Sequence, residues 1–95
     1  MVVGVLRLEI RLEGCRSLKA KRQLLLSLME RLRKDRAVAF AEVGDHELWG
    51  NASIGVATVS GSGQVVDATL QRILETVESE PQLELAGFVL DAMRL

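Results

Sequence analysis

The sequence predicts an α+β fold with the element order β-α-β-β-α-β, a split βαβ arrangement. Three observations lead there. Residues 2–12 alternate, with Leu6, Leu8, Ile10 and Leu12 on one side and Arg7, Glu9 and Arg11 on the other, the period of two of a strand with one buried face. Two longer stretches carry apolar residues at a spacing of three and four. Three further short apolar runs fall after the first of these stretches and around the second.

After the first strand, Glu13-Gly14-Cys15-Arg16 turns the chain, and Ser17 is a suitable N-cap for a helix starting at the next residue. From Leu18 to about Lys34, Leu18, Leu25, Leu28, Met29 and Leu32 form the apolar stripe of an amphipathic helix. Ala37 to Val43 reads as a strand with Val38 and Phe40 opposite Ala39 and Ala41. The segment from Val43 to Asn51 is too long for a tight hairpin. Ser53 to Ser60 is a third strand, with Ile54, Val56 and Thr58 opposite Gly55, Ala57 and Val59. Ser60-Gly61-Ser62-Gly63 breaks it and opens a second helix, striped by Val66, Leu70, Ile73 and Val77 and stopped before Pro81. Leu83 to Met93 closes the order as a fourth strand. Both helices are expected on one face of an antiparallel four-stranded sheet, each β-α-β unit crossing over right-handed.

Ninety-five residues suffice for one domain, 1–95, without a second core. Apolar residues at 48% and charged residues at 26% give the balance of a folded globule rather than a disordered chain. Phe40, Phe88 and Trp49 are the only aromatics, so aliphatic burial must supply the core. A lone cysteine, Cys15, forms no internal disulfide and fits a reducing compartment. No apolar run approaches the ~20 residues of a membrane span, and the opening Met1–Ile10 lacks the pattern of a signal peptide. The cytoplasm is the expected location, with no membrane partner.

Charge is unevenly placed. Residues 1–36 hold ten of the twelve Lys+Arg against four acids, a balance of +6, and residues 37–95 hold two against nine, a balance of −7. Such asymmetry suits a polyanion partner, or attraction between the two halves inside one fold. Arg16, Lys19, Lys21 and Arg22 crowd the start of the first helix, where cations oppose the macrodipole, and no acid stands three or four residues beyond any of them. Arg31, Arg33, Lys34 and Arg36 lie at the end that the dipole favours. Lys21 falls between Leu25 and Leu28 inside the apolar stripe, which allows its stem to follow the core edge while its ammonium surfaces. An anion or RNA-backbone site is one reading of the cluster. Pairing of Lys21 and Arg22 with acids such as Glu42 or Asp45 is the other.

Catalytic chemistry finds little support. There is no Cys-x-x-Cys, histidine pair or phosphate-loop pattern, and Asp45-His46-Glu47 reads as a polar loop rather than a metal site. Cys15 as a nucleophile would need His46, the only histidine, beside it. Arg16 and Asn51 imitate the catalytic pair of acylphosphatases, but the surrounding glycine-rich loop pattern is missing. The first and third strands carry no aromatic on which a base could stack, unlike RNA-recognition domains. No catalytic residue, metal or cofactor is assigned, and the chain reads more as a binding protein than an enzyme.

The second face of the sheet, with Val3, Val5, Ala39, Ala41, Val43, Gly55, Ala57 and Val59, is too apolar to face water and too small-chained to form a core. It implies a homo-oligomer, a dimer being favoured, and Leu24 and Leu26 on the flanks of the first helix could contribute.

Arg16-Ser17-Leu18-Lys19-Ala20-Lys21-Arg22, Ala41-Glu42-Val43-Gly44-Asp45, Leu48-Trp49, Gly55-Val56-Ala57 and the opening Met1-Val2-Val3-Gly4 resemble, in this order, the YlxP-like family of small bacterial proteins. The resemblance runs essentially end to end. It implies a ferredoxin-like fold and, from genes that lie among those of translation and ribosome maturation, a link to RNA or a ribosomal particle. It supplies no catalytic residues. The matching Ser17, Lys19, Lys21, Arg22, Glu42, Asp45 and Trp49 are candidates for binding or interaction, and Cys15 and His46 fall outside the motif. A phosphorylated small ligand at the helix start, or a protein partner at the Trp49 loop, are the alternative readings.

Overall fold

The computed structural model describes residues 1–34 and 37–95. Asp35 and Arg36, the latter one of the cations assigned to the end of the first helix, lie outside the described residues. The order is β1 (Val2–Arg11), α1 (Leu18–Leu32), β2 (Val38–Gly44), β3 (Asn51–Ser60), α2 (Gly63–Glu78) and β4 (Glu84–Arg94). The strands form one antiparallel sheet in the order β2-β3-β1-β4, the ferredoxin-like α+β arrangement expected. β1 and β2 are parallel and flank β3, while β3 and β4 are parallel and flank β1, so each helix links two parallel strands with one strand between them.

Alternation decides the faces. Leu6, Leu8 and Ile10 of β1 and Ala52, Ile54 and Val56 of β3 are buried under the helices. From above, α1 contributes Leu25, Leu28 and Leu32, and α2 contributes Val66, Leu70, Ile73, Leu74 and Val77. Gly4 lies where α2 comes closest to β1. A Cβ there would stand 2.4 Å from Cγ1 of Val66 and 3.0 Å from Cδ1 of Leu70, so the absence of a side chain sets the helix–sheet spacing.

Both helices start on serine caps. Ser17 Oγ accepts from the Ala20 amide at 3.1 Å and Ser62 Oγ from the Val65 amide at 3.4 Å, each replacing a helical partner that the first turn lacks. α1 ends earlier than its sequence pattern suggests. Arg33 caps it: its amide donates to the Met29 carbonyl at 2.9 Å, and the Lys34 amide donates to the Arg31 carbonyl at 3.4 Å. The cations at that end have local work: Arg31 pairs with Glu80, and the Arg33 guanidinium lies 5.6 Å from the Phe40 ring centroid.

Two register shifts break the regular ladder, one between Glu42 and Gly44 opposite β3, the other between Glu9 and Ile10 opposite β4. The first lies where β2 leaves the sheet for the long connection to β3, as bulges at strand ends commonly do. Among the described residues no helix is long and apolar enough to cross a membrane.

Candidate functional site

The start of α1 meets the β2–β3 connection, and a buried lysine joins them. Lys21, on the second turn's inner face, is 2% exposed. Its ammonium donates to the carbonyls of Asp45 at 2.6 Å and Leu48 at 2.8 Å. It also lies 2.8 Å from Oε2 of Glu42, a side chain that is itself mostly buried. That last contact is close but poorly aligned, so Oε2 has an ionic partner and no well-directed hydrogen bond. An ammonium has three donors and no acceptor, and three oxygens surround this one.

This arrangement corrects the picture of a snorkelling lysine. The stem does run inside the apolar stripe, but the charge turns inward to the connection rather than outward to solvent. Burial of a cation is tolerable only with such partners. Asp45 takes part through its backbone: its φ of 59° is left-handed, and its carbonyl accepts from both Lys21 and the Leu48 amide. Glu42, not the Asp45 carboxylate, supplies the counter-charge.

The other cations remain outside. Arg16, Lys19 and Arg22 are exposed, and among the described residues no carboxylate lies within ion-pair distance of any of them. The first turn of α1 carries no acid. Ser17 is used as the cap, so its hydroxyl faces the helix amides rather than a ligand. The surface nearby is mixed in sign, because Glu13, Asp45 and Glu47 are exposed as well.

Trp49 is held loosely. The chain around it is anchored, by Lys21 on the Leu48 carbonyl and by the Leu12 amide on the Gly50 carbonyl at 2.8 Å. The indole itself is 54% exposed. It lines an open hollow of about 300 Å³ with Cys15, Glu47, Leu48, Gly50 and Asn51. Cys15 places its Sγ 3.5 Å from the Ser17 carbonyl, whereas the His46 ring contacts the Glu42 carbonyl at 3.2 Å, so thiol and imidazole are committed to different backbone groups. Among the described residues no group of His, Cys, Asp and Glu side chains is placed to hold a metal ion.

The profile of a family described as "Protein of unknown function (DUF503)" matches residues 3–89. The chain belongs to this family. It is 31% identical over 83 residues to the uncharacterized protein YlxP of Bacillus subtilis (strain 168), covering 87% of this chain and 90% of that protein. The de novo designed protein Foldit4 shares the fold at a TM-score of 0.58 with 16% identity, over 99% of this chain and 97% of the design. A designed protein with this topology speaks to the backbone alone, and the DUF503 relationship brings no residue roles with it. The feature of this chain's surface that carries an argument is the contrast just described, of one cation buried and paired beside three left open.

Proposed function

We propose that this DUF503 protein is a non-enzymatic cytoplasmic binding protein that engages an RNA backbone, free or within a ribosomal particle, through Arg16, Lys19 and Arg22. The observation that carries the reading is their lack of partners. Cations at the positive end of a helix dipole cost about 0.3–1 kcal/mol each at low salt, and a carboxylate in the first turn would relieve that cost. The first turn has none. A phosphate would relieve it too, and would find cations and helix amides together. Lys21 does not belong to this set, since its ammonium is committed to the β2–β3 connection. Glu13, Asp45 and Glu47 bound the basic surface, so the track is narrow and suits a few phosphates rather than a long duplex.

The test is a titration of a labelled single-stranded RNA by anisotropy at several salt concentrations. A single strand loses roughly 0.7 in log–log slope per phosphate contact, so three contacts give a slope near −2. The triple Arg16→Gln/Lys19→Gln/Arg22→Gln variant should weaken binding and flatten that slope while keeping its circular dichroism. Binding unaltered by the triple change, or no binding by the native chain, overturns the reading. A small phosphorylated ligand at the same helix start would instead compete with a shallow salt dependence.

A further inference from the structure

We propose that the open face of the sheet is closed in solution by the same face of a second copy of this chain, forming a two-fold dimer. The inference is independent of the RNA reading, which uses the end of α1 rather than the sheet.

The face has no cover within the chain, because both helices lie on the other side. Its large residues stand in water: Val5 is 46% exposed, Val43 49%, Val59 55%, Met93 58% and Val89 66%. The strand pairing sets Val3 opposite both Val59 and Met93, Val5 opposite Ala57 and Asp91, and Val89 opposite Arg7. With the exposed alanines between them they present on the order of 600 Å² of surface, mostly apolar but interrupted by Arg7 and Asp91, near the upper limit for a typical monomer's largest patch. It is also about three-quarters of the ~800 Å² that each partner gives to a standard interface, and the charged residues of the same face, Arg7 and Glu9 at one end and Asp91 between Val89 and Met93, can supply the rest.

Shape argues for a second copy rather than an unrelated partner. β2 and β3 show only Ala39, Ala41, Gly55 and Ala57 along their middle, and above them lies an open hollow of about 640 Å³ with Arg7 as its one charged wall. β4, at the other side of the sheet, raises Val89 and Met93. A two-fold axis running along the strands, between two stacked sheets, lays β4 of each copy over β2 and β3 of the other. Each ridge then meets a hollow, at the ~10 Å spacing of packed sheets. The charges at the near end are already neutralised inside the chain: Arg7 Nε donates to Glu9 at 2.9 Å and to Ser53 Oγ at 3.0 Å, and Arg11 pairs with Glu84 at 3.2 Å. They therefore bring less uncompensated charge into the contact than Asp91, whose carboxylate accepts from the Ala92 amide and has no ion pair among the described residues. The other exposed large apolar residues are scattered: Leu26 on α1, Val65 on α2, Leu48 and Trp49 in the β2–β3 connection, Phe88 on the helix side of β4, and Met1 and Leu95 at the ends of the chain. An isologous contact closes at two copies.

Size-exclusion chromatography with light scattering at tens of micromolar decides it. The native chain should show twice its 10.4 kDa mass. Ala57→Arg, at the centre of the face and exposed in the single chain, should halve the mass with circular dichroism unchanged. Val65→Arg, 51% exposed on α2, should leave the mass doubled. Should Ala57→Arg fail to fold, Val89→Lys on the edge strand applies the same test. A native monomer overturns the proposal. So does a dimer that survives the charge at the face, which would mean pairing of strand edges, or one that Leu26→Glu dissolves, which would mean contact through α1.

Discussion

Lys21 and Glu42, twenty-one positions apart in sequence, place ammonium and carboxylate 2.8 Å from each other beneath the β2–β3 connection. The same ammonium holds two carbonyls of that connection, so one side chain of α1 fixes the conformation of a segment that has little apolar burial of its own. A charge so placed makes the segment's geometry depend on a single residue.

Lys21→Met should therefore destabilise the fold by about 3–5 kcal/mol, the range for removing one partner of a buried pair. Most of that loss comes from the stranded Glu42 carboxylate and the Leu48 carbonyl, since the Asp45 carbonyl keeps the Leu48 amide as a donor. Adding Glu42→Leu should recover part of it, and the double change should cost clearly less than the sum of the two single ones. Urea unfolding of the four proteins measures the cycle; strict additivity would show that the pair is not coupled.

Gly4→Ala tests the approach of α2 to β1. The new methyl would meet Cγ1 of Val66, a fully buried β-branched side chain with few rotamers to escape into. Overpacking of this kind costs about 1–3 kcal/mol, against the roughly 0.4–1 kcal/mol that an alanine saves by restricting the unfolded chain. Net destabilisation is expected in a urea melt. The paired change Gly4→Ala/Val66→Ala should not add its two costs, since the second removes the atoms that the first collides with.

Lys19→Gln/Arg22→Gln should act in the opposite sense on stability. Both side chains are exposed and oppose the α1 dipole, so their loss should raise stability slightly at low salt, by up to about 1 kcal/mol per charge, and the gain should fade as salt is added. Melts at low and high salt measure it. Clear destabilisation would show that these cations have structural partners after all.

Much of this organisation is legible in the chain. Alternation in β1 and β3 separates the core face from the open face residue by residue, and Ser17 announces its helix because a serine before an apolar stripe is a cap with a mechanism. Lys21 also stands out, a charge inside a stripe of leucines. Its destination is not legible, because two of its three acceptors are carbonyls, which every residue carries, in a connection more than twenty residues away. The bulge at Val43 leaves no pattern either, since one extra residue on a strand changes pairing without changing composition. The exposure of Trp49 is not legible for a related reason. A large aromatic in a long connection suggests an anchor, yet here the anchor is the buried lysine, and the indole is left over.

That division of labour carries a last prediction. Because Lys21 and the Leu12–Gly50 hydrogen bond hold the connection, Trp49→Ala should change stability by no more than about 0.5–1 kcal/mol, the range of surface substitutions. As the chain's one tryptophan, Trp49 reports on itself: its emission should be that of a solvated indole and open to quenching by iodide. It shares a hollow with Cys15, the residue before Arg16, so a single-stranded RNA bound as proposed at Arg16 would pass close to it. Base stacking on an exposed aromatic is worth about 1–3 kcal/mol per base. RNA should then quench the indole and protect it from iodide, whereas polyphosphate, with charge and no bases, should bind without either effect. Equal responses to the two would mean that only the phosphates are read, and a large loss of stability in Trp49→Ala would return the indole to the role of an anchor.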